Sequence, residues 1–123
     1  MQSEAFRDQP YSFQTRFKSE DGKAGTNSEE LLAAAHAGCY AMAVSFALTE
    51  AGHAPTELRV TAAVDLSKVD GSFVVKTIAL DLEARVPELD TASLLATAEA
   101  AKNGCPISKA LAATPITLTA RLL

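Results

Sequence analysis

Residues 31–48 read LLAAAHAGCYAMAVSFAL, and how this run folds decides the architecture. Ala, Leu and Met are strong helix formers, and two glutamates, Glu29 and Glu30, precede the run where a helix dipole favours acidic side chains. Asn27 or Ser28 supplies a capping side chain, and Gly52 stops the pattern. The spacing therefore predicts one long helix, nearly apolar all the way round. Such a helix must be covered on more than one side. A sheet of a small domain covers one face, so the sequence points to a homodimer for the other.

Outward from this helix the periodicity changes. The segment Tyr11 to Phe17 alternates, with Tyr11, Phe13 and Phe17 on one side and Ser12, Gln14, Arg16 and Lys18 on the other, and reads as a half-buried strand. SEDGKAGTNS, residues 19–28, has the composition of a loop. Leu58, Val60, Ala62, Val64 and Leu66 alternate in one strand, and Ile78, Leu80, Leu82 and Val86 in the next, with KVDGS between them as the turn of an antiparallel hairpin. Asp90 reads as the N-cap of a helix through Lys102 that Asn103 and Gly104 end. Pro106 opens a short helix through Ala113, closed by Pro115. Ile116, Leu118 and Leu122 then alternate in a last strand. The order β-α-ββ-α-α-β gives an α+β domain with an antiparallel sheet and a long central helix.

Composition narrows the function classes. The chain has 123 residues, 48% of them hydrophobic, enough for one domain spanning residues 1–123 and too short to expect two. A net charge of −4 without a basic run argues against nucleic acid as a partner. No run of about 18 apolar residues lacks polar interruption, and the polar, mixed-charge start MQSEAFRDQP suits neither a signal nor a transit peptide. The expectation is a cytoplasmic protein that is not membrane-bound. In that compartment cysteines are more often catalytic or transiently paired than structural.

There are two, Cys39 inside the long helix and Cys105 in NGCPISKAL, residues 103–111. A cysteine among alanines is commonly core packing. Cys105, however, directly precedes Pro106 and so stands at a helix start, where unpaired N–H groups favour a thiolate. Burial would raise the pKa of Cys39, which becomes a nucleophile only beside a cation. The candidates are Arg7, Arg16, Lys18 and Lys23, with the imidazole of His36 three residues earlier on the same helical face. Leu32, Met42 and Phe46 share the Cys39 side of the helix and read as core, and Glu30 reads as a first-turn charge. There is no C-x-x-C, no zinc-spaced Cys and His set, no glycine-rich phosphate loop and no G-x-S-x-G. Neither a metal nor a bound cofactor is expected.

GTNSEELLAAAHAGCYAMAVS at 25–45, followed by NGCPISKAL, resembles the OsmC/Ohr family, the osmotically inducible and organic hydroperoxide resistance proteins, which are thiol-dependent peroxidases. The resemblance runs from about Pro10 to the end, and AAHAGCY with VPELD, residues 86–90, is closer to the OsmC branch. It implies that Cys39 is the peroxidatic cysteine, whose thiolate attacks the O–O bond and becomes a sulfenic acid. It implies that Cys105 resolves this acid into an intramolecular disulfide, that Arg16 stabilises the thiolate and orients the peroxide, and that Glu29 holds Arg16. An external dithiol, lipoylated in the Ohr branch, would recycle the pair, and organic hydroperoxides would be preferred to hydrogen peroxide.

Physical chemistry both supports and complicates these roles. An arginine beside a buried thiolate offsets desolvation, and its planar fork can donate to a peroxide oxygen. Glu29 and Cys39, however, are ten residues apart, a rise of ~15 Å on a continuous helix. Either the helix breaks near Gly38 or Arg16 and Glu29 reach the thiol from a partner subunit, which favours an intertwined homodimer with sites at the interface. Family members also carry about twenty more residues ahead of the first aromatic strand, and Ser28 stands where proline is frequent. The competing reading is a non-catalytic redox sensor or an apolar small-molecule binding module on the same fold. A peroxiredoxin-type cysteine is a weaker third, because its proline and threonine lead-in is missing.

Overall fold

The computed structural model describes residues 1–17 and 25–123. Lys18, Lys23 and most of the expected 19–28 loop lie outside the described residues. The chain forms two compact units, Met1–Leu32 and Ala33–Leu123.

In the first unit the expected strand is instead a short helix, α1 (Phe13–Phe17). The reason is local. The Ser12 N–H donates to Thr15 Oγ1 at 3.0 Å and the Thr15 N–H returns to Ser12 Oγ at 3.2 Å, a reciprocal cap that satisfies the free amides of a helix start. Phe13 and Phe17, one turn apart, bring their rings to 5.0 Å between centroids, a contact that a strand would not make the same way. The alternation of residues 11–17 thus resolves in favour of the i, i+4 pair.

Helix α2 (Ser28–Glu50) is a single helix of 23 residues with no break at Gly38. Asn27 Oδ1 accepts from the Glu30 N–H at 2.8 Å and caps its start. At its end the His53 N–H reaches back to the Leu48 carbonyl at 2.8 Å and the Gly52 N–H to Thr49 at 3.0 Å. This closure needs a left-handed residue, and Gly52 supplies it with φ 84. In the second unit the helix buries His36, Tyr40, Val44 and Leu48, a stripe at four-residue spacing. By length and composition α2 would also suffice to cross a membrane, but this stripe packs into the protein core. Met42 and Phe46, expected in the core, are 71% and 69% exposed, because sheet and helices of one chain cover only the stripe.

Strands β1 (Glu57–Val69) and β2 (Ser72–Arg85) form the expected antiparallel hairpin, paired from Glu57↔Arg85 to Val69↔Ser72. Asp70 and Gly71 both take positive φ, 51 and 82, as a two-residue turn matched to strand twist requires. A bulge at Asp65/Leu66 shifts the register, so that Thr77 faces Asp65 and Val75 faces Leu66. Below it, Leu58, Val60 and Ala62 oppose Ala84, Leu82 and Leu80 on the inner face.

Helix α3 (Thr91–Gly104) starts at Asp90, whose Oδ1 accepts from the Ser93 N–H at 3.0 Å. Helix α4 (Pro106–Ala110) is shorter than expected and ends before Ala113, with Leu111 as its last cap. Strand β3 (Ile116–Leu122) pairs with β2 in parallel, Ile78↔Ile116 through Ala84↔Leu122. The expected all-antiparallel sheet is therefore a mixed one of order β1-β2-β3. The crossover through α3 and α4 returns the chain to the same end of the sheet, and such a connection joins parallel neighbours. Tyr40, Val44 and Leu48 of α2, Leu80, Leu82 and Ala84 of β2 and Leu94, Ala98 and Ala101 of α3 make one core, and Cys105 belongs to it. Each buried leucine contributes on the order of 1.5–3 kcal/mol. The α+β class holds.

Candidate active site

Cys105 is placed by two helices at once. It ends α3, its N–H donating to the Ala101 carbonyl at 2.9 Å, and it begins α4, where Pro106 takes the first position. Proline has no N–H, so the first free amides are those of Ile107 and Ser108, and both act on the Cys105 sulfur. The helix that follows is only one turn long, so local amides rather than a long dipole make this environment. Cys39 projects from the middle of α2, half-buried, and its sulfur lies 3.2 Å from that of the fully buried Cys105. A disulfide needs about 2.0 Å, so closure takes a movement of about 1 Å.

The two thiols are unequal. The Ile107 N–H draws the Cys39 pKa down, but the neighbouring Cys105 thiol and burial push it up, and the net direction is up. Burial pushes Cys105 up, but the Ser108 N–H, the Cys39 thiol, the Ser108 hydroxyl and the Ile107 N–H outweigh it and hold Cys105 below the ordinary thiol value. Among the described residues, none of the groups acting on Cys39 is a cation. The two thiols therefore titrate as a coupled pair whose surroundings act on them in opposite directions.

Arg16 and Glu29 form a second pair, within the first unit. Arg16 Nη2 donates to Glu29 Oε1 at 2.6 Å, and the guanidinium lies 4.9 Å from the Phe17 ring centre. Arg16 is thus not on a strand face opposite Phe13 and Phe17, as the alternation suggested; α1 sets it against Phe17. The hydrogen bond to Glu29 outweighs burial and raises the Arg16 pKa further, so the group stays charged. Its Nε is buried and has no hydrogen-bond partner among the described residues. Tyr11 hydroxyl and Ser28 Oγ, 2.5 Å apart, brace the same corner, while Glu30 accepts from Thr26 Oγ1 at 3.4 Å.

His36 does not stand beside Cys39 as a charged tuner. It is fully buried, its Nε2 lies 2.8 Å from Ser108 Oγ, and burial lowers its pKa, so the ring is neutral. The structure therefore brings together Cys39 with Cys105 and Arg16 with Glu29. Arg16 and Glu29 belong to the first unit, and the two cysteines to the second. Sequence reasoning missed Ser108, Ile107 and Tyr40. Ser108 had a signal, since it stands three residues after a helix-starting cysteine, where its N–H faces back to the cap. Tyr40 follows Cys39 directly and donates its hydroxyl to the Ala98 carbonyl at 3.0 Å, tying α2 to α3 beside the thiols. Among the described residues no three His, Cys, Asp or Glu side chains are grouped to hold a metal.

A mixed sheet backed by a long core helix, with two thiols in van der Waals contact between that helix and the α3–α4 corner, defines a dithiol protein of the α+β class. The chain belongs to the OsmC-like family, whose sequence model, described as OsmC-like protein, matches residues 20–121. It is 46% identical over 112 residues to Peroxiredoxin OsmC of Escherichia coli (strain K12), covering 91% of this chain and 76% of that protein. It is 32% identical over 90 residues to an organic hydroperoxide resistance protein of Xanthomonas axonopodis pv. citri, covering 72% of this chain and 61% of that one. Among solved structures, the organic hydroperoxide resistance protein OhrB of Bacillus subtilis superposes with a TM-score of 0.66 at 29% identity, over 81% of this chain and 73% of that one.

Proposed function

We propose that the protein is a thiol-dependent peroxidase that reduces organic hydroperoxides to alcohols, working as a single domain over residues 1–123 in the cytoplasm. The observation that carries this reading is the 3.2 Å approach of the Cys39 and Cys105 sulfurs. Relatives named for peroxiredoxin activity and organic hydroperoxide resistance support the class.

In the first step the Cys39 thiolate attacks one peroxide oxygen. The O–O bond breaks, the alkoxide takes a proton to leave as alcohol, and Cys39 becomes a sulfenic acid. The Cys105 thiolate then forms the disulfide and expels hydroxide, which becomes water. An external dithiol, free or lipoylated, supplies two electrons to restore both thiols, so no bound cofactor takes part.

Cys39 needs a cation for the first step, because its own surroundings raise its pKa. Arg16, held by Glu29, has that role in this reading. In this reading the pair meets Cys39 of a second subunit in a homodimer. The exposed Met42 and Phe46 on α2 are the apolar surface that such a dimer would cover, and they give the site a preference for apolar peroxides.

Consumption of cumene hydroperoxide with dihydrolipoamide tests the proposal. Turnover well above that of the free dithiol, lost in Cys39→Ser, is expected. Wild-type turnover equal to the free dithiol would leave a redox sensor or an apolar small-molecule binding module on the same fold.

A further inference from the structure

The peroxidase reading uses the sulfur contact between the long helix and the α4 corner and leaves a second contact unused. Cys39 Sγ meets Cys105 Sγ at 3.2 Å, and His36 Nε2 meets Ser108 Oγ at 2.8 Å. His36 stands three residues before Cys39 on α2, and Ser108 three residues after Cys105, so each polar group lies about one turn from a sulfur. The Lys109 N–H donates to the Cys105 carbonyl at 3.0 Å and closes the turn that links Cys105 to Ser108.

This polar contact is buried. His36 is 0% exposed, and Ser108, 7% exposed, is the one buried residue of α4. Apolar side chains there would avoid the cost of burying polar groups, but they would not fix the depth of one helix against the other as a directional hydrogen bond does. Among the described residues, it is the only hydrogen bond between a side chain of α4 and a side chain of α2. Disulfide closure takes a movement of about 1 Å. Helix α2 is continuous over 23 residues and α4 has five, so the short corner is the part that moves.

We propose that the His36–Ser108 hydrogen bond is a clamp that holds the α4 corner against α2 and so sets the rate and extent of disulfide closure between Cys39 and Cys105. Two bonds that restrict the same separation support each other, because whichever forms first lowers the ordering cost of the other. The clamp thus raises the effective concentration of Cys105 at the Cys39 sulfur. When Cys39 is a sulfenic acid, the Cys105 thiolate attacks it, the S–S bond forms, and hydroxide leaves and is protonated to water. An unclamped corner spends more time away from Cys39, and the sulfenic acid then lasts longer. His36 and Ser108 act through the corner they hold and are positioning residues.

Closure on a sulfenic acid rests on the peroxidase reading, whereas the clamp itself is tested without peroxide. The probe is the equilibrium of reduced protein with glutathione disulfide, in which each Cys39–Cys105 disulfide formed releases two reduced glutathiones. Replacing both partners of a buried hydrogen bond by apolar groups is nearly neutral for folding, so the double variant His36→Leu/Ser108→Ala serves as the unclamped protein, its fold checked by circular dichroism. One ordinary hydrogen bond corresponds to about a fivefold factor in an equilibrium constant, and the constant for disulfide formation should fall about two- to fivefold in the double variant. His36→Gln, whose amide can donate to or accept from Ser108 Oγ, should stay near wild type. An unchanged constant in the folded double variant would overturn the proposal, as would a His36→Gln constant displaced as far as that of the double variant. Ser108→Ala alone decides the matter in the same way where the double variant does not fold. With cumene hydroperoxide, dimedone should capture more Cys39 sulfenic acid in the double variant than in wild type. A shifted glutathione equilibrium with no sulfenic acid in either protein would keep the clamp and remove the peroxidase reading.

Discussion

Oxidation of the cysteine pair should raise the stability of the protein by an amount that the structure sets. A bond between Cys39 and Cys105 closes a loop across 66 positions. In the chain-entropy treatment this removes about 14.6 cal/mol/K from the unfolded state, or about 4 kcal/mol at 25 °C. The native-state cost is small, since the sulfurs are already 3.2 Å apart and the α3–α4 corner needs to give only about 1 Å. At roughly 2.1 cal/mol/K per residue, a chain of 123 residues melts with an entropy of about 0.26 kcal/mol/K. The Tm should therefore rise by roughly 15 °C on oxidation. The assay is thermal unfolding followed by circular dichroism on reduced and diamide-oxidised protein at equal protein concentration, with Cys105→Ser under both treatments as the control. A Tm that is unchanged or lower in the oxidised protein would refute the reasoning, because closure would then strain the fold by as much as it restrains the unfolded chain.

Other expectations follow from the same geometry. Arg16→Ala should cut hydroperoxide turnover on the order of 10²-fold, the scale for losing one oriented donor to developing charge, while Tm stays within a few degrees of wild type; activity assays paired with thermal melts check this. Phe46→Lys should convert a dimer to a monomer in sedimentation velocity and lower activity with it, because Phe46 is 69% exposed on one chain. Stability should fall on acidification through the histidine range. His36 has a lowered pKa in the fold, so below about pH 6.5 the unfolded chain takes up a proton that the folded protein resists. Urea midpoints between pH 7.5 and 5.5 should drop for wild type and much less for His36→Gln.

Most of the second unit is legible in the sequence because local signals and burial agree there. Asp90 caps α3, Asp70 and Gly71 turn the hairpin, and Ile78, Leu80 and Leu82 are all buried. Residues 11–17 misled because alternation over seven residues is weak, whereas Ser12 and Thr15 carry a capping pattern that is stronger at that length. The parallel placement of β3 was in principle readable from the two helices that precede it, since a helical crossover favours parallel neighbours. Met42 and Phe46 were read as core on hydrophobicity alone, which does not tell which sides of α2 the sheet and the other helices cover. For the site, the sequence named both cysteines but not the opposite directions in which their surroundings act on them. Ser108 and Ile107, which draw Cys105 down, are brought beside it by the Pro106 corner.

The contrast between the two thiols is also where the proposed chemistry is most exposed. The described surroundings push the Cys39 thiol up and draw Cys105 down, yet the proposed reaction begins at Cys39. The decisive measurement is to treat reduced Cys39→Ser and Cys105→Ser separately with one equivalent of cumene hydroperoxide, trap sulfenic acid with dimedone and locate the adduct by peptide mass spectrometry. Rapid, near-stoichiometric labelling of Cys39 in Cys105→Ser, with little on Cys105 in Cys39→Ser, is the predicted result. Labelling of Cys105 at an equal or higher rate would contradict it and reverse the roles of the two sulfurs.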